Sequence, residues 1–292
     1  MFFKKKEKNN SVKVVRRNKK IRLGIAFGGG GARGIGHVGA IRALEELGVE
    51  PDYVAGTSAG SIIASFYASG MKSGEMEAII KSLKVSDIKK PNFLFIPTSM
   101  DRLEETLLRI YGKDIVFSEL KIPFSAICVN MKDGEEVVVN SGSVIKAVCA
   151  SSAVPGVFRP VLYRGMHLVD GGLANNVPAD VVRSMGANTV IAIDVNPQRG
   201  SGTISLKLTR LLASTVGVMM QKNVDTKLMF ANLVVSPDLS KFSASKLGNV
   251  DEMIKIGYDA IMDKKEEILD LIKRKPKKRD KIVWRVKKET KL

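Results

Sequence analysis

The stretch Ile21-Arg22-Leu23-Gly24-Ile25-Ala26-Phe27 runs directly into Gly28-Gly29-Gly30-Gly31-Ala32-Arg33-Gly34, and this junction decides the fold. The first half is a short apolar run that stops abruptly at four glycines, as a strand buried on both faces would. Behind the glycines, Ile35, Val38, Ile41, Ala43, Leu44 and Leu47 recur at three- and four-residue steps and Gly48 closes the pattern, which predicts a helix over 35–47. PDYVAG (51–56) then reads as a second strand, and SAGSIIASFYASG (58–70) as a second helix ended by Gly70. Strand, helix, strand, helix with short links is the pattern of a parallel sheet covered on both faces.

Working outward, the periodicity predicts further helices over 74–84, 100–111, 143–150 and 178–185, and strands over 122–130, 135–139 and 188–195. His167 falls in a β-segment that ends at Asp170. The later chain reads as two long helical stretches, 206–230 and 246–274, separated by ANLVVSP. Phe93, Leu94, Phe95 and Ile96 form an apolar run between Pro91 and Pro97 that is too short to assign as a strand. No internal repeat and no domain boundary interrupts residues 21–272.

Charge divides the chain more sharply than periodicity does. The 292 residues carry a formal charge of +17, and 45% of them are hydrophobic, which excludes a disordered chain. Residues 1–20 hold nine Lys/Arg and one Glu, and residues 273–292 hold eleven Lys/Arg and two acids, so the body between them is neutral. A basic N-terminal extension and a basic C-terminal tail on a neutral body would be drawn to a polyanion. Met1, Phe2 and Phe3 at one end, and Ile282, Val283 and Trp284 at the other, favour an anionic membrane surface over nucleic acid. Cys128 and Cys149 sit in apolar surroundings that suit buried thiols, and two cysteines supply neither a disulfide framework nor a structural zinc site. No apolar run reaches the ~18–20 residues of a membrane span, and MFFKKKEKNN lacks the apolar core of a signal peptide. The expected location is cytoplasmic, peripheral at the inner membrane surface. Oligomeric state is not encoded in any of these features.

Three motifs carry the chemistry. Gly29 to Gly34 spell G-x-G-x-x-G, but a dinucleotide site would need an acidic residue at the end of the second strand, where this chain reads AGTSAG. Asp52 lies at that strand's beginning, and no Walker lysine follows the glycines. Gly56-Thr57-Ser58-Ala59-Gly60 is instead G-x-S-x-G between a strand and a helix, the setting of a nucleophile elbow. A serine at a helix start is more often an N-cap, so the neighbouring glycines matter. In a parallel sheet, successive strands of one crossover end on the same edge. The amides of Gly29, Gly30 and Gly31 can then lie beside Ser58 and, with the Ala59 amide, form an oxyanion hole. His37 and His167 read as structural. Asp170-Gly171-Gly172 places a carboxylate at the end of an apolar segment, though on its own D-G-G is a plain turn. With an ordinary pKa of ~3.9 such an aspartate is a weak base at neutral pH, so the dyad leans on the glycine loop.

Together, GGGGARG (28–34), GTSAG (56–60) and Asp170-Gly171-Gly172 resemble the patatin-like phospholipase family, and ASSAVPGVFRPV and LVDGGLANNVPAD look like segments of its bacterial members. The resemblance runs from Ile21 to about Asp194. It implies an α/β fold, a three-layer α/β/α sandwich with a mostly parallel central sheet, and hydrolysis of fatty acyl esters of phospholipids or lysophospholipids with no cofactor or metal. It makes Ser58 the nucleophile, Asp170 the base and Gly29, Gly30, Gly31 and Ala59 the oxyanion hole, with Arg33, Gly56, Gly60, Gly171 and Gly172 in support. Plant patatins have Asp where this chain has Gly28, so plant-type substrate preference is a poor guide. Two rival readings stay open: acyl transfer by the same dyad, and a non-catalytic protein that binds anionic surfaces.

Overall fold

The apolar run at the start of the deciding stretch forms β1 (Leu23–Phe27), which is buried along its whole length and pairs in parallel with β2 (Tyr53–Thr57) on one side and β7 (Thr189–Ile193) on the other. The computed structural model describes residues 21–88, 97–196, 224–246 and 248–274. The remaining strands are β3 (Phe124–Asn130), β4 (Glu136–Val139), β5 (Val161–Tyr163), β6 (Met166–Asp170) and β8 (Leu233–Val235). Among the described residues these eight strands form one mixed sheet in the order β5-β6-β3-β2-β1-β7-β8, with β4 pairing beside β3. The run β3-β2-β1-β7-β8 is parallel, whereas β4, β5 and β6 are antiparallel additions at one end.

Strand residues alternate between two cores. Leu23, Ile25, Phe27, Val54, Phe124, Ile191 and Ile193 point to one face, which is covered by α1 (Gly36–Glu46), α2 (Ala59–Ser69), α3 (Ser73–Ser82), α4 (Asp101–Tyr111), α5 (Val144–Ser151), α8 (Val250–Met262) and α9 (Lys265–Lys273). Ala26, Ala55, Ile127, Val190 and Ala192 point to the other face, covered by α6 (Ala179–Ser184) and α7 (Val224–Leu228). The result is a three-layer α/β/α sandwich. The second face is paved with small residues, and α6 lies so close that a Cβ on Gly24 would sit 1.9 Å from Val182 Cγ1.

Helices α1 and α8 cross at a glycine contact. A Cβ on Gly39 would lie 1.8 Å from the Ile254 carbonyl oxygen, and one on Gly257 1.9 Å from that of Gly36. Backbones can approach this closely only where side chains are missing. This contact fixes α8 against the helix that leads out of the glycine loop.

The structure corrects parts of the sequence reading. Residues 246–274 do not form one helix: α8 ends at Met262 and α9 begins at Lys265, which lets Ile261 and Ile268 both reach the core. ANLVVSP is not only a separator, because its centre is β8. Strand β5 was not predicted; it is three residues long, and its hairpin to β6 turns through Arg164 (φ 50°) and Gly165 (φ 77°), a pair without the usual Asn-Gly signal. The FLFI segment, the part of the 206–230 stretch before Val224, residues 1–20 and residues 275–292 lie outside the described residues. Among the described residues no helix is long and apolar enough to cross a membrane.

Gly257→Ala is expected to lower stability by about 1–3 kcal/mol through overpacking against Gly36. Gly74→Ala on the exposed side of α3, where an added methyl meets nothing within 4 Å, is expected to raise it by about 0.5–1 kcal/mol. Urea denaturation of the two variants checks the opposite signs.

Candidate active site

Ser58 sits on the turn between β2 and α2 with φ 52° and ψ −127°, a conformation that an L-residue adopts at a cost on the order of 1–3 kcal/mol. Its surroundings over-determine that turn. The Ser58 amide donates to Ser151 Oγ at 3.0 Å, and its carbonyl accepts from the Ser61 amide at 2.8 Å and the Ser61 hydroxyl at 2.7 Å. Gly56 and Gly60 are required by contact: a Cβ on Gly56 would lie 2.4 Å from the Gly60 carbonyl oxygen, and one on Gly60 2.2 Å from that of Phe27. Although Ser58 is the N-cap of α2, its hydroxyl makes no capping hydrogen bond. The hydroxyl is therefore not committed to the helix end.

Asp170 reaches Ser58 through strand register. Along β3, Ile127 pairs with Thr57 of β2, while the next residue, Cys128, pairs with Asp170 of β6. Since β4 pairs with Ala126–Val129 from the opposite edge, β6 continues where β2 leaves off. The end of β6 thus abuts the turn that carries Ser58. Asp170 is completely buried, and its Oδ1 accepts from the Gly172 amide at 2.8 Å. Oδ2 has no partner of good hydrogen-bond geometry among the described residues. Burial raises the Asp170 pKa from 3.8 to about 6, against the opposing pull of the Ser58 hydroxyl and the Gly172 amide, which favour the charged form. The carboxylate is a stronger base than its ordinary pKa implies. Gly171 is needed where the chain leaves β6, because a Cβ there would lie 2.2 Å from the Ile127 carbonyl oxygen.

The glycine loop supplies bare amides, but not all of those expected. The Gly28 amide donates to the Ile193 carbonyl at 2.9 Å, and the Gly29 amide to the Asn176 carbonyl at 3.0 Å, so Gly29 is not a free donor. The amides of Gly30, Gly31 and Ala59 make no hydrogen bond among the described residues. Arg33 does not point at open space either. Its Nε donates to the Phe242 carbonyl at 2.9 Å and its guanidinium to Asn196, while the Ala32 amide donates to the Ala244 carbonyl at 2.8 Å. Arg33 and the Ala32 amide hold Phe242 and Ala244 against the glycine loop, a contact that no local sequence signal announces.

The remaining candidates fall into place as structure. His37 is buried under the loop, donates from Nε2 to the Gly28 carbonyl at 2.8 Å and packs edge-on against Phe27. Burial lowers its pKa to about 4, so it is neutral. His167 is exposed on β6, and Asp52 accepts the Leu23 amide at 2.7 Å at the opposite end of the strands. Cys128 and Cys149 are free, buried thiols. No cluster of three metal-ligating side chains occurs among the described residues.

Ser58, Ala59, Asp170 and Gly29 to Gly31 all line one cavity of about 540 Å³. Away from these groups its wall is apolar: Ile62 and Ile63 from α2, Ile80 from α3, Leu103 from α4, and Val157 and Phe158 from the loop after α5. One cavity thus gathers a hydroxyl, a carboxyl group and amides that have no hydrogen-bond partner among the described residues, beside an apolar wall.

Residues 25–183 match the family described as Patatin-like phospholipase. An uncharacterized NTE family protein of Mycobacterium bovis is 30% identical over 264 residues, 80% of this chain and 45% of that protein. Lysophospholipase NTE1 of Pyricularia oryzae is 25% identical over 272 residues, 81% of this chain and 18% of that protein. The chain therefore spans less than half the length of these curated relatives. Among solved structures, VipD from Legionella pneumophila superposes with a TM-score of 0.50 at 14% identity, over 86% of this chain and 68% of its own, a likeness of fold.

The raised pKa of Asp170 has a sign in stability. Below its unfolded value the carboxyl is protonated in both states and the burial is uncharged, whereas between 3.8 and about 6 folding comes to require an unfavourable ionisation. Asp170→Asn is expected to match the parent near pH 3.5 and to exceed it by about 3 kcal/mol above pH 7, a shift of about two pKa units converted to free energy. Urea denaturation across that range checks it, and a pH-independent difference would contradict it.

Proposed function

This chain belongs to the patatin-like phospholipase family, and on that premise we propose that it is a serine acyl hydrolase that cleaves fatty acyl esters of phospholipids or lysophospholipids through a Ser58-Asp170 dyad. The observation that carries the reading is the convergence of the uncapped Ser58 hydroxyl and the buried, base-strengthened Asp170 carboxyl at one cavity.

In the first half-reaction Ser58 Oγ attacks the ester carbonyl carbon while its proton passes to Asp170 Oδ2. Charge accumulates on the carbonyl oxygen. In this reading the amides of Gly30, Gly31 and Ala59 donate hydrogen bonds to that oxygen, and the N-terminus of α2 adds a favourable dipole. Collapse breaks the ester C–O bond, and the departing alcohol takes the proton from Asp170. Water then repeats the sequence on the acyl-serine and releases the fatty acid. Pockets of ~300–1,000 Å³ are typical of small-molecule sites, and the apolar wall suits the hydrocarbon chain of an acyl group. The Pyricularia relative is named a lysophospholipase, which agrees with the substrate class.

A fluorophosphonate probe is expected to label the parent at Ser58 and to leave Ser58→Ala unlabelled. Fatty acid release from a lysophospholipid is expected to fall at least about 10³-fold in both Ser58→Ala and Asp170→Asn. Labelling that persists in Ser58→Ala would move the nucleophile elsewhere. Because the carboxylate form acts, kcat/KM should fall tenfold per pH unit below about 6, whereas an aspartate with its ordinary pKa would hold full activity down to about 4. Product analysis with an added alcohol separates hydrolysis from acyl transfer.

A further inference from the structure

Two asparagines that the dyad does not use join all three parts of the site. Asn175 and Asn176 follow Asp170 on one compact turn, in which the Asn175 amide donates to the Gly171 carbonyl at 2.9 Å. Asn176 clasps Gly29 from both sides: its carbonyl accepts the Gly29 amide at 3.0 Å and its Nδ2 donates to the Gly29 carbonyl at 3.2 Å. The Asn175 carbonyl accepts the hydroxyl of Thr57, the residue before Ser58, at 2.8 Å. One dipeptide thus fastens the glycine loop and the nucleophile turn to the segment that carries the base.

The dipeptide is held in turn from the small-residue face of the sheet. Asn175 Nδ2 donates to Asp180 Oδ1 at 2.8 Å and to Glu136 Oε1 at 3.3 Å, and Lys227 bridges the same two carboxylates at 2.5 and 3.1 Å. With two carboxylates in front of it, the Asn175 amide can present only its NH2 group. Lys227 on α7 partly neutralises those carboxylates, and Asp180 on α6 and Glu136 on β4 aim them. Lys227, Asp180 and Asn175 therefore form a brace that runs from the opposite face to the oxyanion loop.

Resting on the reading of Ser58 as nucleophile, we infer that Asn175 and Asn176 are positioning residues that align the glycine loop with Ser58 and Asp170, and that the Lys227-Asp180-Glu136 cluster sets their orientation. Asn176 borders the cavity, whereas Asn175, Asp180, Glu136 and Lys227 lie behind its wall. Their effect is on alignment, where displacements of about 1 Å change rates by up to ~10²-fold.

The test uses the full chain and four variants, Asn176→Ala, Lys227→Met, Lys227→Arg and Ile268→Val, with rates normalised to folded protein. Asn176→Ala and Lys227→Met are expected to lower kcat for a soluble short-chain ester about 10- to 100-fold at unchanged KM, and to slow fluorophosphonate labelling of Ser58 by the same factor. Lys227→Arg should restore most of the rate. Ile268→Val, which loosens the core at α9, a helix that contributes no residue to the cavity wall, should label at the parent rate. If Asn176→Ala does not fold, the Lys227 pair decides the matter. Parent-rate labelling in Lys227→Met, or slowing shared equally by Ile268→Val, overturns the inference while leaving the nucleophile in place. A parent that is not labelled at Ser58 overturns the functional reading instead.

Discussion

Two neighbouring rungs on one edge of β3 hold this site together. Thr57 occupies one and Asp170 the next, because β6 takes over the edge where β2 ends. The geometry is main-chain register, so it is set by the hydrogen bonds of the sheet rather than by the reach of flexible side chains. A one-residue slip of β6 would turn Asp170 to the opposite face and remove the carboxylate altogether. The antiparallel strands at this end of an otherwise parallel sheet are therefore part of the site's construction.

The electrostatics oppose the fold locally. Asp170 is buried in a form that resists ionisation, and His37 is buried in a form that resists protonation. Their contributions to stability run in opposite directions with pH: the strain of Asp170 grows from pH 3.8 to about 6, while the benefit of neutral His37, full above 6.5, is lost as pH falls towards about 4. The two slopes overlap and offset one another across the acidic range. Ser58 adds backbone strain at the same place. Two unfavourable features within one site, the buried carboxylate and the strained Ser58, are what a scaffold accepts when local chemistry outweighs local stability.

Much of this was legible in the sequence because it rests on strong local signals. The apolar run before Gly28 and the small residues around Ser58 each have one structural explanation, and the Gly56 and Gly60 contacts bear it out. What escaped the reading depends on partners distant in the chain. Nothing near Gly29 indicates that its amide is taken by Asn176, 147 positions later, and nothing near Arg33 points to Phe242. The strength of Asp170 as a base follows from its burial, which a sequence window does not report. The break between α8 and α9 has neither glycine nor proline to mark it, and β5 is too short to show alternation.

The sheet also separates two tasks. The apolar wall of the cavity comes from α2, α3, α4 and the loop after α5 on its bulky face, whereas the asparagine brace is supported from the thin face by α6, α7 and β4. Residues that would select a chain length therefore lie across the sheet from Asp180, Glu136 and Lys227, which hold the asparagines. Descendants of such a scaffold could remodel the far wall of the chamber, at Ile80 or Leu103, without disturbing those three charged residues.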